Sequence, residues 1–467
     1  MNAVQNSPLS YRSVPGPKAH PILGNVGQYR EDTLGFERLL AKEYGDIVHI
    51  RFLDRNAYLI FHPDDIRKVL VEEADKYMKA PIYQILLSRF LGNGLLTSDG
   101  DFWKRQRKLS QPAFHTKRIQ AYAETMVDYT KIMLDTWTDG QVRDMNHEMT
   151  RLTLSIVVKS LFNAEIGGES DRIGEALTTV LEASNEGMQS ALQMVPEWVP
   201  LPRNIRNKRG VRQLDEIIMP IINSRKGAED NGDLLSMLLL AEDEDGNHMT
   251  DKQLRDEVVT LVLAGHETTA NALTWAWYLL SQHPEIEAKL HEEVDRVLGD
   301  RLPTLADLRQ LEYTQMVFKE AIRLYPPIPS YARQSLVPVE LGGYTLPAGS
   351  IILISPHVFH KDARWWDEPE AFKPERFSKE NEKTINKYAY LPFGGGPRIC
   401  IGNSFAEMEA VLLLATIAQH YRMQLDPADQ EVVPEPTLTL RPRHNLMMRL
   451  EKRQAINVPA PMETVSA

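Results

Sequence analysis

Apolar residues recur every three or four positions through most of the middle of the chain. Between residues 102 and 290 this spacing is nearly continuous, and it is clearest in 122–137 and 149–162. Such spacing is typical of helices that bury one face. In 46–61 and again in 337–353, apolar residues partly alternate with polar ones, which indicates strands. The pattern predicts a mainly α fold with a small β part, built from segments near both ends of the chain.

Three further segments can be placed from their composition. In 46–61, the polar residues 54–56 (Asp-Arg-Asn) separate two apolar runs and predict a hairpin turn. From His360 to Phe393 the chain is irregular and rich in proline, tryptophan and charge. A loop of this length in a compact protein usually serves function or wraps around another group. A final helix is expected from Asn403 to His420.

The longest helix is predicted to begin at Thr250 and to end near His283. Thr250 and Gln253 have the spacing of a capping box, and Pro284 suits the first turn of a new helix. About 32 residues at ~1.5 Å rise form a rod of about 48 Å. Its middle is apolar on almost every side, so the helix must cross the centre of the molecule. The segment 264–269 (Ala-Gly-His-Glu-Thr-Thr) interrupts this run with polar groups that need partners in the interior, which marks a functional site.

Composition narrows the functional classes. The 467 residues carry a formal net charge of -11, which argues against nucleic acid as a partner. A single cysteine forms neither an intramolecular disulfide nor a zinc site of several cysteines, so a reducing, cytoplasmic compartment fits best. Residues 1–25 form a proline-rich lead-in without a membrane-spanning run or a signal-peptide core. We expect one domain over 26–455, a flexible tail over 456–467, and a monomer without a membrane anchor.

The single cysteine lies in a glycine-rich loop, residues 393–402 (Phe-Gly-Gly-Gly-Pro-Arg-Ile-Cys-Ile-Gly), directly before the last helix. A lone cysteine is usually a small buried hydrophobe, but glycines let the backbone approach a large flat ligand closely. Backbone N–H groups and the positive end of the following helix would stabilise a sulfur anion at Cys400. Arg398 offers a cation for a carboxylate of the same ligand. A phosphate-binding loop fits less well, because the segment lacks both a GKS/T ending and a GxGxxG pattern.

This loop resembles the heme-binding loop of the cytochrome P-450 family, FGxGxRxCxG, and matches it at every fixed position. The segment 264–269 resembles the family's oxygen-activation segment, 319–327 its ExxR helix with a proline-rich exit, and 374–377 the partner of that helix. The resemblance implies a triangular, α-rich prism with a long central helix over heme b, whose iron Cys400 would bind. The chain is more similar to the longer soluble bacterial members, including fatty-acid hydroxylases, than to the short camphor-hydroxylating kind.

The resemblance also implies roles for particular residues. Gly265 would open space for dioxygen, Thr268 would stabilise the activated oxygen, and Glu267 would relay protons to it. The cofactor-binding residues that it implies are Cys400, Arg398, Phe393, Gly394, Gly402, Trp103, Arg107 and Arg333. The three arginines of this set are the candidates to meet the two heme propionates.

Glu320 and Arg323 lie three positions apart and therefore share one face of a helix. The resemblance adds Arg376 as the third member of a buried structural triad. Because burying such a network carries a desolvation penalty, its expected role is to hold the heme side in shape rather than to add net stability. His266-Glu267 also begins the zinc-protease motif HExxH, but Ala270 stands where the second histidine is required. The zinc interpretation therefore fails.

The expected reaction inserts one oxygen atom of O2 into a C–H or C=C bond of a hydrophobic small molecule. Its electrons are expected from a separate ferredoxin or a flavodoxin/flavoprotein reductase, because little chain remains after the heme loop. A basic cluster in this acidic chain is a candidate docking site for an acidic partner of that kind. The cluster consists of Lys104, Arg105, Lys108, Lys117 and Arg118.

The substrate pocket is expected in the segments that vary within the family, and its candidate residues are mostly apolar. They are Ile82, Ile85, Leu86, Phe90, Met188, Met194, Ala264, Ile328, Ser330 and Leu438. A fatty acid or a terpenoid-like compound fits such a lining, and alkanes and polyketides stay open. Arg51 or Arg55 is a candidate to bind a carboxylate at a channel mouth.

Two other functions are compatible with a heme-thiolate fold. A peroxygenase would use hydrogen peroxide, but such members of the family typically lack the pair Glu267-Thr268. A heme-based gas sensor or binding protein would not need a proton relay, and no sequence resembling a signalling domain follows the heme loop. Monooxygenase is therefore the preferred interpretation.

Overall fold

The computed structural model describes residues 13–115, 119–163, 169–189, 198–227 and 231–453. Contacts between residues divide the chain into two compact units. The first comprises Met1–Pro81, Ser330–Asp367 and Asn386–Ile399, and the second comprises Ile82–Pro329, Glu368–Ile385 and Cys400–Ala467. The single domain expected over 26–455 stays a prediction, and the tail 456–467 lies outside the described residues.

Helices make up most of the described chain, so the mainly α class with a small β part is confirmed. The α-helices are α1 (Val26–Glu31), α2 (Thr33–Tyr44), α3 (Pro63–Arg67), α4 (Pro81–Leu91), α5 (Gly100–Ser110), α6 (Ala123–Leu134), α7 (Met145–Phe162), α8 (Glu169–Gln189), α9 (Pro202–Arg225), α10 (Leu234–Leu240), α11 (Asp251–Gln282), α12 (Pro284–Leu298), α13 (Glu312–Leu324), α14 (Pro356–Phe359) and α15 (Asn403–His420). The strands are β1 (Ile47–Phe52), β2 (Arg55–Ile60), β3 (Tyr77–Lys79), β4 (Val142–Asp144), β5 (Tyr331–Ser335), β6 (Val339–Leu341), β7 (Tyr344–Leu346), β8 (Ile351–Ile354), β9 (Tyr421–Leu425), β10 (Pro434–Pro436), β11 (Leu440–Pro442) and β12 (Met447–Lys452).

The first unit contains a five-stranded sheet in the order β1-β2-β8-β5-β3. Because β2 runs parallel to β8, the sheet joins the N-terminal strands to a segment almost 300 positions later, as the sequence pattern predicts. Apolar side chains on the sheet and on the short helices beside it form one buried cluster. Its members include Ile47, Tyr58, Ile60, Ile66, Val69, Leu70, Ile352, Ile354, Phe359 and Leu391.

The predicted hairpin exists, but its turn begins one position earlier and ends two positions earlier than expected. Phe52 pairs with Arg55 at the end of β1 and β2, so Leu53 and Asp54 form the turn. Leu53 adopts a positive φ of 56°. Asn56, expected in the turn, lies in β2, and its side-chain oxygen is 2.9 Å from Nε2 of His49 on β1. The polar residues at the start of β2 therefore look like turn residues in the sequence, although Asn56 makes a contact across the two strands.

The second unit is organised around α11, which spans 32 residues and begins with the predicted capping box of Thr250 and Gln253. It packs against α7, α13 and α15. The Thr153 hydroxyl on α7 donates to the carbonyl oxygen of His266 at 3.1 Å. Further along α11, the Trp275 ring stacks on Tyr325, with ring centres 4.1 Å apart. In the described ranges, no helix combines the length and apolar content needed to span a membrane.

Glu320 and Arg323 on α13 are fully buried and form a bidentate ion pair. Arg323 donates from Nε and Nη2 to the two carboxylate oxygens of Glu320 at 2.6 and 2.7 Å. Arg376 lies 3.2 Å from Glu320 Oε1 through its Nε, and the Lys373 backbone N–H donates to the same oxygen at 2.9 Å. Arg323 also donates to the carbonyl oxygen of Pro369 at 2.7 Å. The network ties α13 to the irregular segment that follows Glu368. Its expected role in holding the heme side in shape stays a prediction.

Glu409 on α15 is a second buried acid, with 0% of its surface exposed. Neither of its carboxylate oxygens has a hydrogen-bond partner among the described residues. The Thr269 hydroxyl lies beside it, but this hydroxyl donates its hydrogen to the carbonyl oxygen of Gly265 at 3.0 Å. Burial without a cation raises the pKa of Glu409 well above its usual range. Glu409 is therefore a neutral acid between α15 and α11.

Replacing Glu320 with alanine should lower the free energy of unfolding by roughly 3–5 kcal/mol, because the buried Arg323 charge loses its partner. The double variant Glu320→Leu with Arg323→Met removes both buried charges and should lose less. Urea unfolding followed by circular dichroism measures both. Equal losses in the two variants would contradict an unpaired charge as the cause.

Glu409 should make the protein less stable as pH rises. The pKa of Glu409 is raised in the folded protein. The contribution of this group to the free energy of unfolding is therefore fully present below its unfolded-state pKa and is lost as the pH rises toward its folded-state pKa. Over that window one such group lowers the free energy of unfolding by about 1.4 kcal/mol per pH unit. Glu409→Gln should flatten this slope, and the same change at the exposed Glu431 should not. Identical pH profiles for Glu409→Gln and the wild type would contradict the assignment.

Candidate functional site

The loop that leads to the cysteine depends on two glycines with positive φ. Gly394 and Gly396 have φ values of 70° and 66°, a region that side chains disfavour. At Gly396 a Cβ atom would lie 1.7 Å from the carbonyl oxygen of Leu70 in the same unit. The sequence analysis did not assign Gly396 a role, although the loop motif itself contains this glycine. Its role is to let the loop pass directly over the backbone of Leu70.

Cys400 is solvent-accessible, yet protein atoms surround it closely enough that burial raises the pKa of its thiol. Together these observations describe a side chain on the wall of a recess rather than on an open surface. The backbone N–H of Gly402 and the charge of Arg107 act against burial and lower the pKa of the thiol. Gly402 is also the residue that precedes α15, whose N-terminal end carries partial positive charge. These groups suit a thiolate that binds a metal ion.

The middle of α11 contains an accessible stretch inside an otherwise buried helix. Residues 258–263 and 269–277 are buried, whereas Ala264 is exposed and Glu267 and Thr268 are partly exposed. An alanine exposed at the centre of a buried helix must face space that no side chain fills. A large planar ligand fits such a gap, and the accessible thiol of Cys400 fits a ligand that contains a metal ion.

Gly265 has a packing role that the sequence does not indicate. A Cβ atom there would lie 3.0 Å from Cγ2 of Val157 on α7. The glycine thus allows α7 to approach α11 closely. Its expected role in making space for dioxygen stays a prediction.

Glu267 is held by neutral donors rather than by a cation. Its Oε1 accepts hydrogen bonds from the Thr439 hydroxyl at 3.0 Å and from the Asn271 amide at 3.3 Å. His266 Nε2 lies 3.9 Å from Oε2, and its Nδ1 lies 2.8 Å from the carbonyl oxygen of Val262. Burial lowers the pKa of His266, so this ring is neutral. Neither Thr439 nor Asn271 was predicted from the sequence, because nothing in the order of residues places Thr439 beside α11.

The Thr268 hydroxyl donates to the carbonyl oxygen of Ala264 at 2.7 Å. Its hydrogen is therefore engaged within the helix, and its oxygen retains free lone pairs. Thr268 can hold a proton donor at Oγ1 while it keeps this bond. Such a hydroxyl suits a site where a proton must be positioned rather than removed.

The candidate arginines lie in different parts of the chain. Arg107 on α5 belongs to the second unit, as does the buried Trp103, and its charge acts on Cys400. Arg333 on β5 belongs to the first unit, and its guanidinium lies 5.4 Å from the ring centre of Tyr331. Arg398 ends a short 3-10 turn in the same unit, within the loop that also contains the partly buried Phe393. Contact with a propionate stays a prediction for all three arginines.

The expected basic docking cluster is largely neutralised. Lys104, Arg105 and Lys108 pair with Asp101, Asp243 and Glu244 at 2.9, 2.7 and 2.5 Å, respectively. The Asn247 backbone N–H and Arg105 lower the pKa of Asp243 to about 2. Lys117 and Arg118 lie outside the described residues. These ion pairs weaken the case for electrostatic steering at α5. Acidic groups of the same chain already pair with its cations, so little positive charge is left to attract an acidic partner.

Several of the candidate pocket residues are accessible. Those partly or fully exposed in the second unit are Ile82, Ile85, Ala264, Ile328 and Leu438. Phe90 is only 1% exposed and belongs to the core. Ser330, in the first unit, is partly buried, and its hydroxyl lies beside the buried Glu37. The side chains of Leu86 and Met188, and the whole of Met194, lie outside the described part.

Comparisons with known proteins agree with these observations. The family model of Cytochrome P450 matches residues 14–449. Cyclooctatin synthase from Streptomyces melanosporofaciens is 39% identical over 442 residues, covering 94% of this chain and 95% of that protein. Cyclooctat-9-en-7-ol 5-monooxygenase from the same organism is 36% identical, with 88% and 89% covered. Pentalenene oxygenase from Streptomyces avermitilis is 34% identical, with 94% and 97% covered.

These matches extend over almost the whole chain and include the cysteine loop, the interrupted central helix and the buried Glu320 network. The family binds heme b through a cysteine thiolate and uses dioxygen and a redox partner. The chain therefore belongs to the cytochrome P450 family and is a heme-dependent monooxygenase.

Proposed function

We propose that this monooxygenase inserts one oxygen atom of O2 into a terpenoid, a cyclic hydrocarbon or its alcohol. The similarity to Pentalenene oxygenase and Cyclooctat-9-en-7-ol 5-monooxygenase over most of the chain carries this proposal, because their names specify substrates of this kind. The accessible apolar residues Ile82, Ile85, Ala264 and Leu438 support it. An apolar lining suits a substrate without charge.

A fatty acid is the second candidate, and it needs a cation for its carboxylate. Arg51, one of the two candidates, donates from Nη2 to the carbonyl oxygens of His20 and Pro21 at 2.6 and 2.7 Å. This arginine therefore ties the N-terminal segment to β1. Arg55, at the start of β2, is exposed. Of the two arginines it is the remaining candidate to bind the carboxylate of a fatty acid. These contacts leave one of the two candidate arginines for a fatty acid, whereas an uncharged terpenoid requires neither.

In the proposed site Cys400 binds the heme iron, and Arg107, Arg398 and Arg333 bind the propionates. Activation of dioxygen is the chemistry that heme supplies when it is bound. Gly402 and Arg107 stabilise the thiolate form of Cys400, as their effect on its pKa indicates. Gly396 allows the loop that precedes Cys400 to pass close to Leu70.

Glu267 and Thr268 handle the protons in this proposal. Glu267 can take up and release a proton without breaking an ion pair, because its hydrogen-bond partners Thr439 and Asn271 are neutral. Thr268 accepts a hydrogen bond at Oγ1 while it donates to Ala264. It thereby holds a proton near the space that Ala264 faces. The buried surroundings of α11 keep bulk water from supplying protons at random.

The electrons come from a separate ferredoxin or a flavodoxin/flavoprotein reductase in this proposal. Such a partner must reach the side of the protein where Cys400 lies. The ion-paired cluster on α5 contributes little net charge to this encounter. We therefore expect only a weak dependence of the reduction rate on ionic strength from this helix.

Binding of cyclic terpenes should convert the heme from low to high spin, because an apolar ligand displaces water from the site. The heme-loaded enzyme is titrated with pentalenene, cyclooctat-9-en-7-ol and fatty acids of similar size, and products are identified by mass spectrometry with a ferredoxin and its reductase. Terpenes should shift the spectrum and gain one oxygen atom. Arg55→Gln should leave terpene binding unchanged. A saturable shift with fatty acids alone, weakened by Arg55→Gln, would contradict the terpenoid proposal.

Thr268→Ala should reduce the fraction of electrons that appear in product by roughly tenfold or more, with the remainder released as hydrogen peroxide. Substrate binding should not change, because the proposed role of the Thr268 hydroxyl is to position a proton and not to bind the substrate. The matched control is Thr274→Ala, which removes a buried hydroxyl bonded to Ala270 on the same helix. Product and peroxide are quantified per electron pair consumed. Tight coupling in Thr268→Ala would refute the role of this hydroxyl.

A further inference from the structure

The Asn271 side chain connects the candidate site on α11 to the start of α7. Asn271 lies one turn after Glu267 on the same helix and is only 2% exposed. Its amide nitrogen is 3.3 Å from Glu267 Oε1 and 3.2 Å from the hydroxyl oxygen of Thr439. Its amide oxygen accepts a hydrogen bond from the side-chain amide of Asn146 at 3.3 Å. These four side chains form an amide network of two amides, one hydroxyl and one carboxylate.

Both ends of the amide network are accessible. The Asn146 side chain is half-buried, and its oxygen is neither buried nor bonded to a described residue, so water reaches it. At the other end, Glu267 Oε1 accepts hydrogen bonds from Asn271 and Thr439. Its Oε2 is not buried and has no hydrogen-bond partner among the described residues; the Nε2 atom of His266 lies 3.9 Å away. The carboxylate thus has one oxygen held by two donors and one oxygen that is free.

The hydrogen bonds of the network also fix its direction. Because Asn146 donates, the amide oxygen of Asn271 points toward α7 and its NH2 group points toward Glu267. If the Asn271 amide were flipped, its oxygen would face Glu267 Oε1, and the carboxylate would lose a donor and gain a repulsive contact. Asn146 forms no hydrogen bond with Glu267, yet it selects the orientation of the amide that does.

The ionisable side chains around the network do not neutralise its carboxylate. Burial lowers the pKa of His266, so its ring is neutral. On α15, burial raises the pKa of Glu409 well above its usual range, and burial also raises the pKa of Asp144, directly before α7. On β11, which packs against α11, Arg441 pairs with Glu435 at 3.4 Å. The donors to the carboxylate in the described part of the chain are therefore the neutral groups of the network.

The network is not required to hold the two helices together. α7 and α11 are already joined by their buried apolar side chains and by the bond from the Thr153 hydroxyl to the carbonyl oxygen of His266 at 3.1 Å. Apolar side chains in place of the two amides would fill the same space without the desolvation of polar groups. The Oε1 atom of Glu267, in contrast, needs donors, and neutral donors leave the carboxylate able to change its charge.

We propose that Asn271 and Asn146 position Glu267 so that its Oε2 atom takes up and releases the proton. This inference rests on the proposed role of Glu267 in proton transfer. Oε1 keeps its two hydrogen bonds in both charge states, because a carboxyl group protonated on one oxygen retains lone pairs on the other. One O–H bond forms at Oε2 when a proton arrives from solvent, and it breaks when the proton leaves for the space beside Thr268. Asn271 acts directly on the carboxylate, and Asn146 acts through Asn271.

The test measures infrared difference spectra of the heme-loaded full chain as light releases carbon monoxide from the heme, which detects carboxyl groups near the iron. Glu267→Gln identifies the band of this residue, and the intensity of the band is followed against pH. Asn146→Asp replaces a donor with an acceptor, so Asn271 should flip and present its oxygen to Oε1. The carboxylate should then bind its proton more tightly, and the midpoint of the titration should rise by roughly one pH unit or more.

A double variant separates the flip of the amide from the charge that Asn146→Asp adds. In the background of Asn271→Leu, the same substitution has no amide to flip, so the midpoint should rise by much less. Asn223→Asp adds one charge at an exposed position at the end of α9 and should titrate like the wild type. Thermal unfolding checks that each variant is folded, and Asn271→Ser replaces Asn271→Leu if the latter is not.

Three outcomes would contradict the inference. An equal rise with and without the Asn271 amide would mean that the added charge acts through space, and it would overturn the positioning role. A midpoint that Asn146→Asp does not move would overturn that role as well, while the proposed role of Glu267 would stand. If no titrating band disappears in Glu267→Gln, both proposals fail.

Discussion

A sulfur anion inside a protein is stable only where fixed positive groups replace the water that it has lost. Around Cys400, burial raises the pKa of the thiol, while the Gly402 N–H and Arg107 lower it. In the loop before the cysteine, Gly396 has no side chain, and this allows the loop to cross the carbonyl of Leu70. In the proposed site the heme iron would complete this arrangement, because the protein supplies part of the compensation and leaves the sulfur accessible.

The central helix meets a related constraint with neutral groups. Its polar segment lies in the interior, yet Glu267 is bound by Thr439 and Asn271 and not by a cation. A carboxylate in a buried ion pair gives up or takes up a proton only at a large free-energy penalty. The protein uses such a pair elsewhere, between Glu320 and Arg323, where rigidity is required and no proton moves. The two acids thus differ in their partners, which are neutral for the partly exposed Glu267 and cationic for the buried Glu320.

The surface charges show a similar division. On α5 each described cation of the expected docking cluster has an acidic neighbour, so the helix contributes little net charge to its surroundings. On α9 the cations Lys208, Arg209 and Arg212 form no ion pair with any residue that the structure describes, and the exposed Ile205 lies on the same side. In the sequence, the density of lysine and arginine predicts a charged surface at α5, although α9 is the helix whose cations lack ion pairs among the described residues. Only the positions of acids from other segments, such as Asp243 and Glu244, separate the two cases.

The sequence by itself determined the family, the helix-rich class, the bounds of the long helix and the loop that contains Cys400, because these depend on local spacing. Spacing also predicted that Glu320 and Arg323 share a helix face, whereas Arg376 was named only through the family resemblance. The hairpin turn was placed wrongly, since Asn56 makes a contact with His49 that belongs to the other strand. Contacts between distant segments were decided by the tertiary structure alone: Thr439 beside Glu267, Leu70 beneath Gly396 and Val157 against Gly265. Such contacts depend on how helices and loops pack in three dimensions, and no periodicity along the chain records which residue from a distant segment fills the space.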